Sequence, residues 1–241
     1  MNIIKKMSEK AKNMPGAKVP TIAFLGDSVT QGCFELFMET SEWFGSVCDY
    51  KNVYHNRVKE MLAVLFPNVP VNIINAGVGG ESAKDGLARI ERDVLAYSPD
   101  LTVVCFGLND CCFGMENLDN YISSLDCIFS KLRAAGSEII FMTPNMMNTY
   151  VSYRVEPPML VGNAERAMRV QEEGVFETFL DKAKELCAKH KIPVCDCHKK
   201  WKLMYENGVD VTELLSNRVN HPIREMHILF AGMLINTMFE N

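Results

Sequence analysis

Hydrophobic positions along the chain fall into two alternating kinds of run. Short, nearly continuous apolar runs at 19–25 (VPTIAFL), 69–75 (VPVNIIN), 101–106 (LTVVCF), 138–143 (EIIFMT) and 192–196 (IPVCD) have the length and side-chain branching of buried strands. Between them, apolar positions recur at helical spacing. Val58, Met61, Leu62 and Leu65 define a helix over 54–66 that Pro67 stops, and Leu87, Ile90, Val94 and Leu95 define a second. Further helices are expected over 118–135, closed by Gly136, over about 164–189, and over about 224–239. Strand–helix alternation repeated five times predicts an α/β fold, a five-stranded parallel sheet with helices on both faces. No repeat, low-complexity tract or interdomain linker breaks the pattern. The expectation is one domain over 1–241, with 1–17 as an N-terminal extension.

Composition narrows the function classes. Of 241 residues 48% are hydrophobic, enough for a sizeable core. The net charge of −5 removes the main electrostatic reason to expect nucleic acid as a partner. No apolar run approaches the ~20 residues that span a bilayer. The first 18 residues carry lysines but no apolar stretch of the kind a signal peptide needs. Nine cysteines, an odd number and mostly inside apolar runs, then read as reduced thiols of a cytoplasmic protein. Cys195-Asp196-Cys197-His198 with Cys187 upstream, and Cys111-Cys112, invite a zinc reading. Their spacing is not that of paired Cys-x-x-Cys ligands, so free thiols and no metal or cofactor are expected.

In an open parallel sheet the ligand crevice lies at the carboxyl ends of the strands, and the unusual residues gather there. Gly26-Asp27-Ser28-Val29-Thr30-Gln31-Gly32 follows the first strand, Asn75-Ala76-Gly77-Val78-Gly79-Gly80-Glu81-Ser82 the second, and Gly107-Leu108-Asn109-Asp110 the third. A serine in a strand-to-helix turn is exposed and close to backbone amides, as a nucleophile requires. Thr30 excludes the GxSxG elbow, and no GKS or GKT follows to make a phosphate loop. A glycine N–H and an asparagine amide are suitable oxyanion donors. Of five histidines, His55, His190 and His227 fall in helical segments and His198 in a Cys/His-rich turn. His221, in the polar loop Asn217-Arg218-Val219-Asn220-His221-Pro222, is the one free to project into the crevice as a base. Asp27 and Asp110 are expected to accept backbone N–H bonds that fix loop shape. The irregular segment 144–163 should flank the crevice, and Met142, Met146, Met147 and Met159 are candidates for pocket lining or for core.

These four blocks resemble those of SGNH, or GDSL-type, hydrolases. GDSVTQG is similar to the first block, NAGVGGES to the second, FGLND to the third, and the Asn-His-Pro run to the last, in the family's order from Gly26 to Pro222. The resemblance implies a flavodoxin-like three-layer α/β/α fold and metal-independent ester hydrolysis. It gives Ser28 the role of nucleophile, Gly80 (or Gly77) and Asn109 those of oxyanion donors, and His221 that of base. One departure stands out. The family usually has Asp three residues before the histidine, and here that position is Arg218, which cannot accept the imidazole N–H. Asn217, a backbone carbonyl, or a remote carboxylate such as Asp210 is left to orient the ring. The expected activity is hydrolysis of a small acyl group, acetyl above all, from a carbohydrate-like alcohol. A lipase or thioesterase of the same family and a non-catalytic ligand-binding module are the alternatives. The Ser28–His221 distance discriminates the last.

Overall fold

The computed structural model describes residues 1–40 and 43–241. Helix α1 (Asn2–Lys12) precedes strand β1 (Thr21–Gly26), which ends in the one-turn helix α2 (Ser28–Gln31). A two-stranded antiparallel ribbon follows, β2 (Cys33–Met38) and β3 (Phe44–Cys48), and then α3 (Tyr54–Leu65). The alternation continues through β4 (Asn72–Gly77), α4 (Ala83–Asp93), β5 (Leu101–Cys105), α5 (Leu118–Ala134) and β6 (Glu138–Thr143). It closes with α6 (Val161–Glu172), α7 (Val175–His190), β7 (Val194–Asp196), α8 (Cys197–Glu206) and α9 (Met226–Glu240).

The five sheet strands are all parallel, in the order β4-β1-β5-β6-β7. This is the flavodoxin-like arrangement expected, with helices on both faces. β1 and β5 are buried at every position, which explains their uninterrupted apolar runs. The register pairs Gly26 of β1 with Gly77 of β4 and with Cys105 of β5. The loops carrying Ser28, Gly80 and Asn109 therefore leave three neighbouring strands side by side.

The structure departs from the sequence reading in four places. The β2–β3 hairpin was not expected, since its residues are mostly half-exposed or exposed and leave no core-facing alternation. The helix expected over 164–189 is two helices, because Gly174 takes φ +73° and re-aims the chain between α6 and α7. His198, read as lying in a turn, belongs to α8, which is capped by the Asp196 carboxylate accepting the Lys199 N–H at 3.1 Å. Within 1–17, α1 buries Ile3 and Met7 one turn apart, and Glu138 accepts the backbone N–H groups of Asn2 and Ile3 at 2.9 and 2.8 Å. No helix among the described residues is long and apolar enough to cross a membrane.

Candidate active site

Ser28 opens α2 at the end of β1. Asp27 caps that turn, its Oδ1 accepting the Val29 N–H at 3.0 Å, and Gly32 ends it in the left-handed conformation at φ +97°. Two close approaches make this turn depend on glycine. A Cβ at Gly26 would lie 2.2 Å from Thr30 Oγ1, and one at Gly77 would lie 2.1 Å from the Gln31 nitrogen. Ser28 is only 7% exposed, and its Oγ lies 2.9 Å from His221 Nε2.

Neither of the two side chains considered as orienters performs that role. His221 Nδ1 donates instead to the backbone carbonyl of Phe34, on β2, at 2.8 Å. Asn217 Oδ1 accepts the backbone N–H groups of Val219, Asn220 and His221, so it shapes the loop from within. Asp210 accepts the Tyr150 hydroxyl at 2.9 Å and the Thr212 N–H at 3.1 Å, away from the ring. Arg218, at φ +59°, turns its guanidinium onto the carbonyls of Glu213 and Leu215 at 2.6 and 2.8 Å. The Phe34 carbonyl is held by what surrounds it. The Phe34 ring is buried against His227, with centroids 4.9 Å apart. Arg224 lies over the same ring at 4.4 Å, while pairing with Glu35 at 2.6 and 2.9 Å and with Asp49 at 2.9 Å.

Electrostatics follow from this burial. Desolvation lowers the His221 pKa to about 4, against the opposing pull of the Phe34 carbonyl and the Glu35 charge. Burial works the other way on the neighbouring carboxyls, raising Asp27 to about 7 and Asp110 to about 6. Both act on loop shape, as anticipated, with Asp110 Oδ1 accepting the Ala83 N–H at 2.9 Å at the start of α4.

The other two loops are tied to the first. Gln31 accepts the Gly79 N–H on its side chain at 2.6 Å, and its carbonyl accepts Asn75 Nδ2 at 3.0 Å. Asn109 Nδ2 donates one hydrogen to the Glu81 carbonyl at 2.8 Å, leaving the other for the cleft that Asn109 lines. Gly80, at φ +78°, lines the same cleft, whereas the Gly77 N–H is engaged by Asn75 Oδ1 at 3.0 Å. Arg89, which sequence reasoning missed, is the buried cation beneath this junction. It donates to the carbonyls of Ala76 and Gly26 at 2.8 and 3.1 Å and pairs with Glu81 at 2.5 Å and Asp93 at 3.2 Å. The Glu81…Arg89…Asp93 spacing was its available signal.

Ser28 and His221 open onto a cleft of about 610 Å³. The hairpin residues Leu36 and Phe44 form one wall, and Asn163 and Arg166 of α6 another. Met142, Met146 and Met147 are buried in the core and Met159 is half-exposed, and none of the four lines this cleft. Three of the other four histidines have structural surroundings. His227 accepts the Tyr54 N–H at the start of α3, His190 meets Asp126 at 2.5 Å, and His198 sits edge-on to Phe176. All nine cysteines are free, and among the described residues no three His, Cys, Asp or Glu side chains are grouped to hold a metal ion.

Comparison with known proteins bears on the family and the fold. The profile of the GDSL-like lipase/acylhydrolase family matches residues 24–227. An acetylxylan esterase from Geobacillus stearothermophilus is 29% identical over 147 residues, 57% of this chain and 64% of that one. The chain therefore aligns with somewhat under two thirds of that curated relative. Among solved structures, the Axe2 acetylxylan esterase of Geobacillus stearothermophilus superposes with a TM-score of 0.65 at 21% identity, covering 91% of this chain and 94% of that one. A two-domain esterase active on acetylated mannans gives a TM-score of 0.67 at 19% identity, covering 99% of this chain and 52% of that one. The chain belongs to the GDSL-like lipase/acylhydrolase family.

Proposed function

We propose that the protein is a serine esterase that removes acetyl groups from carbohydrate hydroxyls through an acyl-enzyme at Ser28. The observation that carries this reading is the 2.9 Å contact between Ser28 Oγ and an imidazole whose second nitrogen is bonded to a carbonyl. That bond fixes the tautomer with the proton on Nδ1, so Nε2 carries the lone pair that takes the serine proton. Ser28 Oγ then attacks the ester carbonyl. The Ser28 and Gly80 N–H groups and the Asn109 amide hold the developing oxyanion. His221 returns the proton to the leaving alcohol and afterwards activates water against the acyl-enzyme. A neutral carbonyl stabilises the imidazolium less than a carboxylate does, so the arrangement works as a Ser–His dyad with Glu35 as its distant charge.

The substrate class rests on two supports. The related acetylxylan esterase and the mannan-active structure have acetylated polysaccharides as their substrates by name. The cleft walls offer amide and guanidinium donors at Asn163 and Arg166, suited to sugar hydroxyls. The test is acetate release from acetylated xylo- and manno-oligosaccharides, beside nitrophenyl esters of rising chain length. Ser28→Ala should abolish it with the fold intact, and activity retained within tenfold would remove Ser28 from the mechanism.

A further inference from the structure

A second pair of reactive side chains faces the cleft. Cys33 and Cys48 are register partners on the two strands of the β2–β3 hairpin, with their sulfurs 3.7 Å apart, and both line the cleft beside Ser28. The Asp49 N–H donates to the Gly32 carbonyl at 2.9 Å, one position further along the ladder. That bond makes Cys33–Cys48 a non-hydrogen-bonded pair, the kind in which facing Cα atoms approach to about 4.5 Å and side chains lie closest. A disulfide accepts Cα separations of about 4.4–6.8 Å. The register shifts between Cys33 and Leu36, beyond this pair, so the pairing itself suits the bond, and the sulfurs must close from 3.7 Å.

We propose that Cys33 and Cys48 form an oxidisable thiol pair, converted by a low-molecular-weight disulfide into an intramolecular disulfide that staples the hairpin bearing the Phe34 carbonyl. The two thiols differ in access. Cys48 is exposed and Cys33 is buried, and burial together with the Cys48 sulfur pushes the Cys33 thiol up to about 12. Cys48 is therefore the point of entry. Its thiolate attacks one sulfur of the reagent, the reagent's S–S bond breaks, and one thiolate leaves. Cys33 then gives up its proton to solvent and attacks the Cys48 sulfur, expelling the second thiolate. The protein pair loses two electrons and the reagent gains them. The Cys195 and Cys197 sulfurs are also 3.7 Å apart, but both are buried and offer a reagent no such entry.

The hairpin placement couples this chemistry to the site. A group held on Cys48 occupies the cleft in front of Ser28, and the closed disulfide clears it. Cys33 also donates to Gln31 Oε1 at 3.5 Å, the atom that accepts the Gly79 N–H, so oxidation removes one donor from that junction.

The experiment is to treat the full-length protein with oxidised glutathione, quench with acid, cleave at Glu35 and Glu39 between the two cysteines, and map the fragments by mass without reduction. Wild type should yield the Cys33 and Cys48 fragments joined, and dithiothreitol should separate them. Cys33→Ser should stop with glutathione on Cys48, losing at least tenfold of its own untreated esterase activity, which dithiothreitol restores. Wild type that keeps both thiols, that retains glutathione on Cys48, or that links other cysteines instead overturns the proposal. The activity arm rests on the esterase reading, whereas the fragment map stands without it. A joined pair in a protein with no esterase activity would count against Ser28 alone.

Discussion

The low pKa of His221 makes a quantitative demand on the pH–rate profile. A general base must be neutral, so kcat/KM falls as pH drops through the pKa of the free enzyme's base. At pH 5, a group with a pKa of about 4 is roughly nine-tenths neutral, whereas an unperturbed imidazole near 6.5 is roughly 3% neutral. Burial is the cause of the depression and the Phe34 carbonyl and Glu35 resist it, so Glu35→Gln should move the acid limb lower. The assay is initial-rate acetate release from an acetylated xylo-oligosaccharide at subsaturating substrate, between pH 4 and 8. Far-UV circular dichroism at each pH reports the fold. That control is needed because the same depression acts on stability. Between about 4 and 6.5 the unfolded histidine binds a proton that the folded one refuses, so through this group acidification destabilises the native state, whereas Asp27 and Asp110, raised by burial, act in the opposite sense. Activity at pH 5 within twofold of the plateau is expected. An acid limb centred at 6.5 in protein that remains folded would refute the picture of a desolvated base whose Nδ1 has only a carbonyl as its acceptor.

Other substitutions probe the remaining parts of the site. Asn109→Ala should lower kcat by about 10²–10³ with little change in KM, since an oxyanion donor strengthens its contact mainly in the transition state; a change confined to KM in steady-state kinetics would make it a substrate-binding residue. Arg218→Asp should leave kcat unraised, because His221 Nδ1 already has its acceptor, and a several-fold gain would show that the ring can exchange Phe34 for a carboxylate. Arg89→Met strands two carbonyls and the Glu81 carboxylate, and should cost about 3 kcal/mol in urea unfolding. A loss under 1 kcal/mol would mean that water replaces the guanidinium.

How much of this could be read from the chain depends on which atoms carry the signal. The sheet was legible because β1 and β5 are buried on both faces, and apolar runs of five or six residues record that directly. Ser28, Gly80 and Asn109 were legible as candidates because glycine, serine and asparagine at strand ends are conspicuous, and His221 because it is the histidine of a polar loop outside the predicted helices. A backbone carbonyl was among the orienters the sequence left open, but which one was not legible. It is a main-chain carbonyl, which every residue possesses, placed by a hairpin whose half-exposed strands carry no hydrophobic alternation. Asn217 misled for a related reason. Its side chain is in the right loop, but three backbone N–H groups compete for the oxygen and win by proximity. The break at Gly174 was hidden because the helical spacing of apolar residues persists on either side of it.

The cross-ties among the three strand-end loops have a consequence for how the molecule fails. Gln31 holds Gly79, Asn109 holds Glu81, Asp110 holds Ala83, and Arg89 grips the Gly26 carbonyl of β1 and the Ala76 carbonyl of β4. None of these bonds waits for a ligand, so the donors meet substrate already arranged, and ordering them draws nothing from binding. The same bonds join the strand-end loops to β1 and to the edge strand β4, leaving no joint at which the site can come apart first. Inactivation and global unfolding should then coincide along a denaturant gradient, and a robust site here is inseparable from a robust sheet.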